Sequence, residues 1–431
     1  MSSVKIKKEE TLGDRFRRSM FDVAAEQGKP PAMLSKSDYL SSDCKSKLTL
    51  EQLNKAGGFP KMADLYFPPE RDIIVGEASK LVRGFRNKIQ AQYGRDILLK
   101  DDFIAVFKEI IEKNPIKLHP PVKRLEVMKK DEIERSLVIH LSDSHFGCNI
   151  EPAEMNGLNE FNWTIAARRM ALFIEQAMTY KPQHRKETEL VVLINGDIIA
   201  GVIHDQEWAV DQLTTQFSGA MSILSQAISF AATGFKNVRV VCTPGNHGRA
   251  MHKASKDRAT VHKWDSYENM LYIAIREALK SHKNVEFIIP ESPYAIVEIL
   301  GHKFLVTHGD TVINVGNPGK NLNMKAINEQ INKLNAQLIK GDENFAAVIC
   351  GHVHVSTIQE TDSGTMLLIN GTLSGLDPFA QSIGIFSTNA TQTLFEVTRD
   401  HAVGDMRLIR LRRADKLEEL DKVIEPFKGR F

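Results

Sequence analysis

Residues 136–147 read SLVIHLSDSHFG: a mostly apolar run, then Ser142-Asp143-Ser144-His145, then a Phe-Gly step. An apolar run of that length bounded by a turn is the pattern of a buried strand, whose last polar side chains rise out of the core toward a rim. The same pattern recurs four times. ELVVLINGD carries Asp197, NVRVVCTPGNH carries Asn246 and His247, HKFLVTHGD carries His308, and AAVICGHVH carries His352 and His354. Five strand ends therefore present eight metal-loving side chains, and together they point to a two-metal hydrolase.

The chemistry follows from the residue types. Mn²⁺, Fe²⁺, Zn²⁺ and Mg²⁺ differ in taste, but the first three accept mixed oxygen and imidazole ligands. Two such ions about 4 Å apart need a bridging carboxylate and several further ligands. Two Asp, one Asn and four or five His meet that demand. Asp143 and His145, like His352 and His354, are spaced i and i+2, which in an extended segment turns both to one side. Gly196, Gly245 and Gly351 stand beside the ligands, where backbone must approach closely. Arg249 in GNHGR offers a guanidinium fork for phosphate, and His204, His252 and His262 lie in the loops after two of the motifs. His140 sits inside a strand, and it reads as structural together with His119, His184, His282 and His401.

As a set, D-x-H, G-D, G-N-H, H and G-H-x-H resemble the calcineurin-like metallophosphoesterase superfamily over roughly residues 136–375. The resemblance implies a four-layer α/β sandwich of two packed mixed sheets flanked by helices, with a dinuclear site. It implies one metal on Asp143, His145, Asp197 and His354, and the mixed N/O ligation points to Mn²⁺. Asp197 would bridge to a second ion completed by Asn246, His308 and His352. His247 would face the scissile phosphate and serve the leaving oxygen, while a metal-held hydroxide attacks phosphorus in line.

Around this core the chain divides into three. Residues 1–125 read as a small helical domain, with a helix near 1–27 built on Phe16, Met20 and Val23. Further helices fall at 48–67, 77–94 and 101–115. A helix, tight turn and basic helix is also the outline of a helix-turn-helix reader, against which stands a plain helical bundle. Residues 126–411 alternate strand and helix and form the phosphoesterase domain. Residues 412–431 read as a charged helical tail. Residues 1–130 hold 26 Lys+Arg against 18 Asp+Glu, although the whole chain is only +2. That basic front suits a polyanion, and the acidic remainder suits cations.

No apolar run is long enough to span a membrane, MSSVKIKKEE has no apolar segment behind it, and the four cysteines show no C-x-x-C. The expected setting is reducing and cytoplasmic. The second motif, GDIIAG, lacks the Asp and Arg of the protein phosphatase pattern G-D-x-x-D-R-G, which argues against a phosphoprotein substrate. The nuclease branch (Mre11/SbcD type) has a His three residues past the Asp, where this chain has Ala200.

The leading expectation is a DNA nuclease, similar to the phosphoesterases of large bacteriophages. Residues 1–125, the loops at 148–162 and 310–324, and Lys320 would grip the strand. An ATPase partner is implied by the family alone. The alternatives are a small-molecule phosphodiesterase or phosphatase acting on nucleotides or cyclic nucleotides, and a non-catalytic DNA-binding protein with a relic site.

Overall fold

The computed structural model describes residues 12–27, 34–45, 47–55, 58–59, 116–122, 127–201, 210–249, 262–316, 322–339, 343–382 and 389–428. The chain divides into two compact units, Met1–Ala105 and Val106–Phe431.

In the first unit the described helices are α1 (Leu12–Gln27), α2 (Lys36–Ser41) and α3 (Leu50–Lys55). Phe16, Met20 and Val23 lie at i, i+4 and i+7, so they share one helical face. That face is buried with Tyr39, Leu48, Leu53 and Phe59. The Tyr39 ring stands 5.4 Å from Phe16 and 5.3 Å from Phe59, while its hydroxyl accepts the Leu48 N–H at 2.9 Å. Ser35 and Asp38 close a capping box that starts α2. Most of the expected helix-turn-helix, from residue 60 onward, lies outside the described residues.

The second unit holds two mixed sheets. The first has the order β11-β10-β1-β2-β3-β4, with β1 (Arg135–Leu141), β2 (Thr188–Asn195), β3 (Val238–Thr243) and β4 (Val285–Ile288) parallel. β10 (Thr391–Thr398) and β11 (Met406–Arg410) run antiparallel on its far edge. The second sheet is β5-β6-β7-β9-β8. Its members are β5 (Tyr294–Ile299), β6 (His302–Thr307), β7 (Ala347–Cys350), β8 (Thr357–Glu360) and β9 (Met366–Ile369). β8 has no counterpart in the sequence reading, because TIQE is largely exposed and lacks an apolar run.

Alternate residues of both sheets meet in one core: Val138, Leu193 and Val241 from the first, Val297, Phe304 and Ile349 from the second. Helices α4 (Trp163–Met178), α5 (Leu213–Gly234) and α6 (Tyr267–Ala278) follow β1, β2 and β3. Helix α7 (Met324–Leu338) lays Ile327 and Ile331 on the outer face of the second sheet, against Leu305, Val348 and Leu367. This is the four-layer α/β sandwich that the motifs implied.

Two expectations need correction. The tail is not an α-helix: residues 412–428 contain two 3₁₀ turns, Arg412–Ala414 and Glu418–Lys422, held by side-chain anchors rather than by a helical ladder. Arg168 binds Asp421 at 2.8 and 2.9 Å, and Arg169 binds Asp415 twice at 2.8 Å. Residues 116–122, placed with the front segment on sequence, fall within the second unit. There the His119 amide donates to Ser229 Oγ at 3.1 Å, and its carbonyl meets His282 Nε2 at 2.8 Å.

Candidate metal centre

The ligand-bearing ends of β1, β2, β3, β6 and β7 meet at one rim, although not by the geometry that the i, i+2 spacing suggested. Asp143 and His145 have φ of 50° and 47°, and His352 and His354 have 74° and 61°; Asp197 has 52°. These segments are tight turns in the left-handed region, not extended chain. Among the described residues only eight non-glycines adopt positive φ, and five of them are these candidate ligands. Such conformations cost of order 1–3 kcal/mol each and persist where the surroundings over-determine them.

The surroundings do so here. The Asp143 and His145 amides donate to the carbonyls of Gly196 and Asp197 at 3.0 and 3.1 Å, stitching the β1 turn to the β2 turn. The Asp143 carboxylate accepts the His352 N–H at 3.0 and 3.2 Å and the Ser142 hydroxyl. The Asp197 carboxylate accepts the His247 N–H at 2.8 Å. Glycines sit where nothing else fits. A Cβ at Gly245 would lie 2.1 Å from Asp197 N and Oδ1, and one at Gly351 would lie 2.4 Å from Asp143 Oδ2.

Three overlapping groups converge: Asp143, His145 and His354; His145, Asp197 and His247; Asp197, His308 and His352. Within each, the donor atoms lie within 4.8 Å of one another. His354 Nε2 stands 3.4 Å from Asp143 Oδ1 and 3.1 Å from His145 Nε2. His308 Nε2 stands 2.9 Å from Asp197 Oδ2, close but out of line for a hydrogen bond. His247 Nε2 is 3.9 Å from the same oxygen.

Sequence reasoning missed the residues that hold this arrangement. Glu268, fully buried at the start of α6, accepts the Ile198 N–H at 2.6 Å and the Gly245 N–H at 2.7 Å. One carboxylate thus clamps both turns that carry Asp197 and Asn246. Asn195 bridges the sheets by donating to the carbonyls of Thr307 and Ile349 at 3.1 and 3.2 Å. Its own carbonyl meets His308 Nδ1 at 2.9 Å, which orients that ring. A polar amide closing an apolar strand (LIN) was the available signal. Glu268 gave none, since an acid in the first turn of a helix is ordinary.

Electrostatics at the rim call for positive charge. Burial disfavours charging Asp197, but His308 and His247 outweigh it and hold its carboxyl well below the usual range. Burial likewise opposes charge on His308, yet Asp197 and Asp143 lift that ring to about 10. His352, with burial and His308 both against it, falls to about 4, and burial with neighbouring His247 and His354 pushes His145 down. Burial and the Asp197 charge raise Glu268 to about 7.

A divalent cation fits these groups. Asn246 Oδ1 and His308 Nε2 are buried with no hydrogen-bond partner among the described residues, the state of atoms reserved for a ligand. Two imidazole nitrogens at 3.1 Å beside two carboxylates are a mixed N/O set of the kind that Mn²⁺, Fe²⁺ and Zn²⁺ accept.

Of the other candidates, Arg249 lies just past His247 and bridges to Ser266, its Nε buried without a partner among the described residues. His262 packs its ring on Trp264, 5.1 Å away. His204, His252 and Lys320 lie outside the described residues, as does part of the 310–324 loop. Loop 148–162 is tied down by reciprocal Ile150–Phe161 amide bonds at 2.9 and 3.1 Å. No helix among the described residues is long and apolar enough to cross a membrane.

Comparison with known proteins yields one family and a set of distant structures. The 5'-nucleotidase of Candida albicans is 12% identical over 72% of this chain and 56% of its own, with a TM-score of 0.30. This chain thus spans little more than half of that protein. A dimetal phosphatase from Danio rerio is 10% identical over 64% and 98%, with a TM-score of 0.31. A comparison with the curated proteins finds no match. The family model described as calcineurin-like phosphoesterase matches residues 136–356. Every residue of the metal-binding groups falls inside that stretch, and the chain belongs to the calcineurin-like phosphoesterases.

Proposed function

We propose that this phosphoesterase is a two-metal phosphodiesterase whose substrate is DNA. The observation that carries the metal chemistry is the pair of triads, Asp143-His145-His354 and Asp197-His308-His352, that share one rim. The first, with Asp197, would hold one divalent ion. The second, with Asn246, would hold the other. Ions held by these residues would supply Lewis-acid polarisation of a phosphoryl oxygen and a more acidic water.

The chain's own residues supply the rest. His247 Nδ1 lies 2.7 Å from the Ala200 carbonyl, which fixes that nitrogen as the donor and turns Nε2 toward the cluster. With both ring nitrogens protonated, Nε2 is then the atom that gives its proton to the leaving oxygen, and the ring is left neutral with Nδ1–H still on the Ala200 carbonyl. Asp197 holds the His247 backbone through its Oδ1, so ligand and proton donor move as one piece.

Two features favour a nucleic-acid diester over a phosphoprotein. The positions at which a phosphoprotein phosphatase places its Asp and Arg are held here by Ala200 and Gly201, both buried and neither able to grip a phosphate. The basic balance of residues 1–130 suits a polyanion. This is also the reading under which the repair-nuclease branch, or a phage-encoded relative, is the appropriate analogy.

The test is Mn²⁺-dependent hydrolysis of end-labelled single- and double-stranded DNA beside bis-p-nitrophenyl phosphate, with Asp197→Ala and His247→Ala as controls. Cleavage of DNA that both variants lose supports the proposal. Cleavage of the small ester alone moves the substrate to nucleotides. Inactivity on both, in protein shown to contain metal, refutes the enzymatic reading.

A further inference from the structure

A second charged feature lies on the same rim, outside the metal centre. β11 is the edge strand of the first sheet, and the chain leaves it through Arg410, Arg412, Arg413 and Lys416. These side chains, with Arg407, line a groove of about 1020 Å³ floored by Ile409 and Gln176. All four are exposed, and none makes an ion pair with any described residue. The groove's one acid, Asp415, is already bound on both oxygens by Arg169. Of the other nearby acids, Glu418 and Glu419 face Arg168, while Asp405 is paired with Lys181 and also faces Arg407. A cluster of like charges without counter-charges is electrostatically costly on a bare surface, and it becomes favourable when a polyanion supplies them.

Strand register places the groove relative to the site. Arg410 pairs with Thr391, the first residue of β10. The Thr391 amide donates to Thr372 O at 3.0 Å, and the Thr372 hydroxyl donates to Asp143 O at 2.8 Å. Arg410 therefore lies at the ligand-bearing end of the sheet, two strands across from β1, or about 10 Å at the usual strand spacing. Successive phosphates of an extended nucleic-acid strand are about 6–7 Å apart, so a strand crossing the rim reaches both places.

We infer that Arg410, Arg412, Arg413 and Lys416 form a phosphate-tracking groove that holds the single strand flanking the scissile diester. The inference rests on the DNA reading above, but it is a statement about binding, so it can fail separately.

The experiment measures binding of a fluorescein-labelled single-stranded 20-mer to metal-free protein between 50 and 300 mM NaCl. Wild type is compared with Arg410→Gln/Arg413→Gln and with a control, Lys280→Gln/Lys283→Gln, whose exposed lysines lie by the far edge strand. Cleavage of the same oligonucleotide with Mn²⁺ is followed in parallel. The groove variant should lose roughly tenfold in affinity and flatten the slope of log K against log salt by about 1.4, at roughly 0.7 per phosphate contact. The control should match wild type, as should hydrolysis of bis-p-nitrophenyl phosphate by both variants. Equal affinity and slope for wild type and the groove variant would overturn the inference even if DNA is cut. Loss of binding in the groove variant with no DNA cleavage by wild type would keep the groove and overturn the nuclease reading. A wild type that does not bind the oligonucleotide refutes the groove outright.

Discussion

Glu268 is the test of whether the site is held by its scaffold. In Glu268→Gln one acceptor oxygen becomes an amide NH₂, so either the Ile198 or the Gly245 N–H, now at 2.6 and 2.7 Å from a carboxylate oxygen, faces a donor. Leaving one buried backbone N–H unsatisfied costs about 1–3 kcal/mol. Glu268→Ala leaves both and adds a cavity, so roughly twice that loss is expected. Charge is a smaller issue, because burial and Asp197 already bring this carboxyl to about 7 and it is half neutral there. Ile198 follows Asp197 directly and Gly245 precedes Asn246, so relaxation of either turn moves a ligand. Metal affinity should drop about 10–100-fold, the usual effect of losing a residue that orients ligands. Urea unfolding of metal-stripped protein reads the first quantity, and Mn²⁺ titration calorimetry reads the second. An unchanged urea midpoint with unchanged affinity in Glu268→Gln would refute the clamp. Gly248→Ala provides an independent check, since its Cβ would lie 2.3 Å from Glu268 Cγ and should push the carboxylate from its seat.

Four further outcomes are expected. Gly245→Ala should abolish uptake of both ions, because its Cβ overlaps Asp197; metal analysis of the purified variant finding two ions per chain would contradict this. His247→Asn should retain metal and lose about 10²–10⁴-fold in kcat, the ordinary worth of a positioned proton donor, and retained rate would remove His247 from the mechanism. Asp415→Ala strands the buried Arg169 guanidinium and should cost about 3–5 kcal/mol in urea unfolding; a midpoint matching wild type would mean that the carbonyls of Leu373 and Ser374 suffice. Burial depresses His140 from 6.5 to about 3, so the folded state resists its protonation while the unfolded chain accepts it. Its contribution is complete above pH 6.5 and is lost as pH falls toward 3, at about 1.4 kcal/mol per unit. Relative to wild type, His140→Asn should show a shallower loss between pH 6 and 4.5 in metal-free urea titrations; parallel curves would count against it.

What the sequence disclosed depended on how locally each feature is written. The five ligand blocks were legible because each polar cluster directly follows an apolar strand, as in ELVVLINGD and AAVICGHVH. The succession of strands and helices along the chain, and the two-sheet sandwich, came from the same alternation, whereas the order of strands within each sheet did not. The left-handed turns at Asp143, His145, Asp197, His352 and His354 were hard to read: Asp and His enter positive φ more readily than most non-glycines but still uncommonly, and the extended reading of the i, i+2 pairs was wrong. Contacts across long sequence separations were hidden too. The Glu268 clamp joins residues 23 and 70 positions away, and Asn195 reaches 112 and 154 positions onward. The tail misled because its spaced charges suit a helix, whereas Asp415 and Asp421 are spent on Arg169 and Arg168 of α4.

The candidate ligands are divided between the sheets: Asp143, His145, Asp197 and Asn246 extend from the first, His308, His352 and His354 from the second. Each triad that would hold an ion takes donors from both. Ions seated there fasten the two halves of the sandwich at one end, as a clasp does. By mass action, a ligand that binds only the assembled state adds RT ln(1 + [L]/Kd), about 2.7 kcal/mol at a hundredfold excess over Kd. Metal supply then bears on the stability of the fold as well as on the chemistry at the rim. Heating curves recorded along a series of buffered Mn²⁺ concentrations should rise together with site occupancy.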